Sequence, residues 1–265
     1  MSASSGQAPT VRVAAAQFRS TRDPEENLLA VERWARRAAD HGSQLLVCPE
    51  ATMVNFATKL APFAEPLDGP FVTRLRQIAT DSALWLVAGV FEPSGDGRVF
   101  NTAVATNGQE LHAYRKINLY DAHSSQESRT VAPGQELVTF NALGTTIGLS
   151  TCFDVRVAEQ FVALRRAGAK LLCVPASWQD GPAKVEQWSL LIRSRAMDAQ
   201  AFLVTADQSA NPARDDGGRP LGAGHSMVAG PLGEVVAELG GEDGLLATEV
   251  DLAEVDRARQ LVPLR

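Results

Sequence analysis

The sequence lacks the features that mark several common classes of protein. It has three cysteines in 265 residues, an odd number that cannot form a disulfide framework. A reducing compartment, the cytoplasm, is therefore expected. No stretch reaches the roughly 18 apolar residues of a membrane helix, so no membrane partner is expected. The four histidines show no metal-ligand spacing. There is no basic excess either: the net charge of −6 argues against nucleic-acid binding, which needs a basic face. Met1–Thr10 is small and polar without a signal peptide's apolar run, and reads as a flexible leader. No low-complexity linker and no internal repeat divides residues 11–265, which are expected to form one domain.

What is present is ordinary soluble-protein composition, 45% hydrophobic and 21% charged, with enough chain to bury a large core. Short apolar runs alternate with segments of helical period. Val11–Phe18 predicts a strand. Asp23-Pro24 suits a helix start, and Leu28, Val31, Trp34, Ala35 and Ala38 share one helical face that ends at Gly42. Strands are predicted at Gln44–Cys48 and Leu84–Phe91, with a helix over Pro70–Ser82 between them. Val99–Thr106 and Glu110–Lys116 flank Asn107-Gly108, a strong hairpin signal. An irregular stretch, Asn118–Gln135, follows; loops this long inside a compact domain are usually functional or disordered. Strands at Leu137–Asn141, Thr145–Thr151, Lys170–Pro175, Ala201–Ala206 and Leu245–Asp251 alternate with helices over Val157–Ala167 and Lys184–Gln200. A late hairpin turns at Pro231–Gly233, and a last helix spans about Asp251–Gln260. Alternating βαβ units mixed with hairpins predict an α/β fold of two packed mixed sheets flanked by helices.

Three polar residues close or follow apolar strands: Glu50 after Leu45–Pro49, Lys116 at the end of Leu111–Lys116, and Cys152 after Ile147–Thr151. Ligands of α/β sheets gather outside the carboxyl ends of strands, so these three can meet. Their chemistry is coherent. An adjacent cation lowers a thiol toward the reactive thiolate, a carboxylate takes its proton, and an ammonium stabilises the oxyanion of an attacked carbonyl. The Phe153 N–H adds a second donor. Each residue also has a plain structural reading: a buried small thiol, a cap or surface carboxylate, a solvated edge-strand charge. Cys48 and Cys173, inside apolar strands, read as inert buried thiols.

The segments Cys48-Pro49-Glu50, Tyr114-Arg115-Lys116-Ile117-Asn118-Leu119 and Cys152-Phe153-Asp154-Val155-Arg156 resemble, in order and separation, three signatures of the nitrilase, or carbon–nitrogen hydrolase, superfamily. Gln126–Gly134, Gly181-Pro182 before Trp188, and Gly224-His225-Ser226-Met227 are similar to its omega-amidase and deaminated-glutathione amidase branch. The resemblance implies a four-layer α-β-β-α sandwich and a homodimer. It implies Cys152 as nucleophile, Glu50 as general base, Lys116 as oxyanion stabiliser and Glu127 as a second glutamate holding the lysine, with no metal or organic cofactor. The substrate is then a small-molecule amide that bears a carboxylate, of omega-amidase or deaminated-glutathione type, cleaved to acid and ammonia through a cysteine thioester. Arg156 is either a substrate-carboxylate clamp or the partner of Asp154 or Glu159, with helical spacing placing it on the Cys152 face. Trp178 is a pocket wall or core, and His225 is structural. Asn118 stands where the family commonly has histidine, and the chain ends soon after its last predicted helix. Competing functions are a nitrilase or N-carbamoyl amide hydrolase using the same residues, a catalytically silent binding protein, and a redox-sensing cysteine protein.

Overall fold

The computed structural model describes residues 10–122, 125–210 and 221–264. The expected leader lies outside the described residues except for Thr10, which opens the first strand. The strands are β1 (Thr10–Gln17), β2 (Leu45–Val47), β3 (Trp85–Pro93), β4 (Val99–Thr106), β5 (Leu111–Arg115), β6 (Val131–Ala132), β7 (Thr139–Ala142), β8 (Thr145–Leu149), β9 (Leu171–Ala176), β10 (Phe202–Asp207), β11 (Met227–Ala229), β12 (Val235–Glu238) and β13 (Gly244–Asp251). The helices are α1 (Pro24–Asp40), α2 (Pro70–Ser82), α3 (Ala158–Arg166), α4 (Lys184–Ala199) and α5 (Ala253–Leu261).

Among the described residues one sheet runs β13-β1-β2-β3-β4-β5, with β6 beside β4, and the other runs β12-β11-β10-β9-β8-β7. Both are mixed: β1-β2-β3 and β8-β9-β10 are parallel, and the outer pairings, apart from the parallel β4-β6, are antiparallel. Strand alternation divides the core into layers. Leu45 and Val47 point between the sheets, where they join Val13, Ala15, Val87, Leu149, Leu171, Cys173 and Val204. Leu46 and Cys48 point the other way, toward Val31, Trp34, Leu75 and Ile78 of α1 and α2. On the far side, Leu172, Val174 and Leu203 meet Phe161, Trp188 and Ile192 of α3 and α4. The result is the expected α-β-β-α sandwich.

Element boundaries differ from the sequence reading where local chemistry intervenes. The Asn107-Gly108 hairpin is a four-residue loop, because the Asn107 side chain accepts from the Gln109 and Glu110 N–H groups and delays β5 to Leu111. The stretch predicted as irregular contains a 3₁₀ turn, Glu127–Arg129, and β6, which pairs parallel with the start of β4. These two small elements bring Glu127 under the sheet's end.

Candidate active site

Three strand ends converge on one cleft of about 600 Å³. Glu50 follows β2 and lies between two unusual positions. Ala51 has a positive φ of 56°, and Gly89 of β3 packs against this turn so closely that a Cβ there would come within 2.5 Å of the Ala51 nitrogen. Lys116 follows β5 and is fixed at both backbone groups, its N–H donating to Asn101 O and its carbonyl accepting from Gly134 N–H. Cys152 opens a 3₁₀ turn, Cys152–Arg156, after β8, with a φ of 44°. A non-glycine residue there is uncommon and is held by its surroundings. Asp154 does the holding. Its buried carboxylate accepts from the Thr151 N–H (2.8 Å), the Tyr114 hydroxyl (2.7 Å), and both the N–H and Nδ2 of Asn118 (3.0 and 2.9 Å). Asn118 thus supports the turn, and its amide also donates to Gln160 at 2.8 Å.

The Glu50, Lys116 and Cys152 side chains are 1%, 2% and 7% exposed, so charge here is poorly screened. Lys116 Nζ donates to Glu50 Oε1 at 2.9 Å and to both oxygens of Glu127, at 3.1 and 2.9 Å. Asn101 Nδ2 bridges the same two carboxylates at 2.7 and 3.1 Å, and the Tyr120 N–H closes on Glu127 at 2.6 Å. The other Glu50 oxygen accepts from the Ser177 N–H at 2.9 Å. Burial pulls the Lys116 ammonium down, but the opposing charges of Glu127 and Glu50 prevail and hold it well above the ordinary lysine value.

The thiol behaves opposite to the simple expectation of a cation-activated thiolate. Burial, followed by the Glu50 charge, pushes Cys152 well above the usual thiol range; Lys116 and the Ser177 N–H pull it down by less. That direction favours the thiol over the thiolate at rest. The Phe153 N–H, the next amide of the turn, donates to no acceptor among the described residues. Cys48 and Cys173 are fully buried away from the cleft, and burial alone raises both thiols.

Trp178 unites its two readings. It lines the cleft, and its ring also packs on Trp188 with centroids 5.2 Å apart. Its Nε1 donates to the Lys184 carbonyl at 2.9 Å, and its N–H to the Asp207 carboxyl at 2.7 Å. Arg156 is exposed and is not among the side chains lining the cleft. A 3₁₀ turn has three residues per turn, so position i+4 is rotated off the Cys152 face where an α-helix would keep it. Its guanidinium stacks 4.9 Å from the Trp178 centroid and donates to Gln187 at 2.9 Å. Asp154 is already saturated, and no ion pair of Arg156 with Asp154 or Glu159 forms among the described residues. His225 pairs with Glu238, while its carbonyl accepts from Trp188 Nε1.

Residues 12–260 match the model of the carbon–nitrogen hydrolase family. The chain belongs to that family. It is 45% identical over 263 residues to a Mycobacterium tuberculosis protein named as a hydrolase, covering 95% of this chain and 93% of that one. It is 32% identical over 263 residues to the Homo sapiens omega-amidase, covering 96% and 93%. An amidase from Nesterenkonia superposes with a TM-score of 0.81 at 29% identity, over 95% of this chain and 94% of that one. A variant of the same Nesterenkonia amidase in complex with butyramide also superposes with a TM-score of 0.81, at 28% identity over 95% of each chain. This carbon–nitrogen hydrolase is therefore amidase-type, an enzyme acting on C–N bonds.

Several cleft residues of this hydrolase escaped the sequence reading. Ser177 had a usable signal, since it follows β9 as Glu50 follows β2. Lys184 had another: a cation opens α4, where the helix dipole favours acids. Asn101 gave none, because a polar residue within the apolar run of β4 acquires meaning only through the carboxylates it meets.

Proposed function

We propose that this enzyme hydrolyses the primary carboxamide of a small carboxylate-bearing acid, as an omega-amidase does, through a thioester on Cys152. The observation that carries the reading is the buried Cys152 in one cleft with a Glu50 carboxylate that is shared between Lys116 and the Ser177 N–H. A neutral thiol needs a base within its own site. Glu50 takes the thiol proton as Sγ bonds to the amide carbon, and the carbonyl electrons move onto oxygen. Lys116 Nζ and the Phe153 N–H hold that oxyanion. As it collapses the C–N bond breaks, Glu50 passes its proton to the nitrogen, and ammonia leaves. Glu50 then takes a proton from water, the resulting hydroxide adds to the thioester carbonyl, and the C–S bond breaks. Proton return to Sγ frees the acid and restores the thiol. Glu127 and Asn101 position Lys116 and Glu50 throughout.

The carboxylate part of the reading is supported by the cations around the cleft: Arg129 and Lys184 in its lining and Arg156 beside Trp178. It agrees with the omega-amidase relative, and the amide bond agrees with the butyramide complex of the Nesterenkonia amidase. The three free thiols fit a reducing, cytoplasmic setting, and the homodimer expected from the resemblance is checked by sedimentation. An ammonia-release screen over ω-monoamides of dicarboxylic acids, neutral amides and nitriles tests the function. Turnover of the monoamides with little release from nitriles is expected. Preferred nitrile turnover, or carbon dioxide from N-carbamoyl substrates, would replace the reading.

A further inference from the structure

Lys184 and Arg156 stand over one aromatic ring, Nζ 5.6 Å and Cζ 4.9 Å from the Trp178 centroid. Lys184 Nζ is also 5.9 Å from the Tyr120 ring. Two like charges side by side are unfavourable, and Lys184 is further disfavoured by opening a helix whose start repels cations. Among the described residues neither cation forms an ion pair. The carboxylates that line the cleft, Glu50 and Glu127, are both committed to Lys116. The charged side chains lining the cleft are Glu50, Glu127, Lys116, Arg129 and Lys184, a net of one positive charge, while the chain as a whole is acidic.

The three nearby cations are not equivalent. Arg129 is exposed to solvent, which weakens its hold on an anion. Arg156 is tied to Gln187 outside the lining. Lys184 lies in the lining, with its backbone carbonyl fixed by Trp178 Nε1 at 2.9 Å. Burial, then the Arg156 charge, pulls it below the ordinary lysine value, against the opposing effect of Cys152. Of the three it is the cation that both lines the cleft and is half-buried, so it gains most from a bound anion.

We propose that Lys184 is the specificity-determining residue of this cleft: it binds the carboxylate at the far end of the substrate directly, with Arg156, beside the same Trp178 ring, reinforcing it. This rests on the proposed reading of a carboxylate-bearing amide. The test compares kcat/KM for glutaramate, an amide with a distal carboxylate, with that for butyramide, which has none, in wild type, K184Q, K184R and R156Q. Wild type should prefer glutaramate. In K184Q the preference should fall roughly ten- to hundredfold, the range of a lost hydrogen bond to a charged group, chiefly through KM. K184R keeps the charge and should retain most of the preference. A wild-type preference that persists in K184Q but vanishes in R156Q overturns the Lys184 assignment and leaves the carboxylate reading standing. Absence of any wild-type preference overturns both.

Discussion

Cys152 sets the chemical problem at the scale of single residues. Its thiol is buried, raised above the usual thiol range by burial and the Glu50 charge, and seated at a φ of 44°, so reactivity depends on a partner rather than on standing thiolate. The raised thiol has a direct consequence for pH. Alkylation by iodoacetamide should keep accelerating as pH rises beyond the ordinary thiol value of about 8.5, because deprotonation comes later in this site. A rate already level by neutral pH would mean a preformed thiolate and would contradict the general-base account. Lys116 makes the complementary prediction. It is the ion-pair partner of two nearly buried carboxylates, so Lys116→Met leaves both without a counter-charge. Loss of activity should come with about 3–5 kcal/mol of lost stability, measured by denaturant unfolding. Unchanged stability would show that the ammonium is not the partner these carboxylates need.

At the scale of elements, the apolar runs Leu45–Cys48 and Ile147–Leu149 were legible because burial on both faces leaves them little polarity, and the residues ending them stood out. The helices were legible from their apolar faces and from Asp23, whose side chain accepts the Glu25 N–H at 2.9 Å. The turns after the strands were not legible, because their geometry is imposed from across the sheet. Asp154 orders the Cys152 turn through Tyr114, Thr151 and Asn118, and the resulting 3₁₀ geometry takes Arg156 off the face that α-helical spacing gives it. Gly89 shows the same dependence. It reads as one more glycine in an apolar strand, yet it makes room for the Glu50–Ala51 turn. Gly89→Ala places a methyl 2.5 Å from the Ala51 nitrogen and 2.8 Å from Glu50 Cα. We expect a stability loss of about 1–3 kcal/mol, seen in thermal melts, together with a fall in kcat as Glu50 is displaced. An active, equally stable variant would mean that the turn yields without cost.

Over the whole molecule, the site exists because two sheets present their strand ends to the same cleft: Glu50, Asn101 and Lys116 from one, Cys152 and Ser177 from the other. The layer of Val13, Leu45, Val47, Leu149, Leu171 and Val204 between the sheets fixes their relation. Amide exchange should therefore be slowest in β9 and β10, buried along their lengths, and fast at the edge strand β12, whose residues are largely exposed. Similar protection in β12 and β9 would contradict that ordering of stability. The central claim, amide cleavage through Cys152, is tested most directly by acid-quenching the enzyme during turnover of glutaramate and weighing the intact protein and its Cys152 peptide. The account predicts a glutaryl adduct on that peptide in wild type, with neither adduct nor ammonia release in Cys152→Ala. Continued ammonia release by Cys152→Ala, with no adduct on the wild-type thiol, would contradict it.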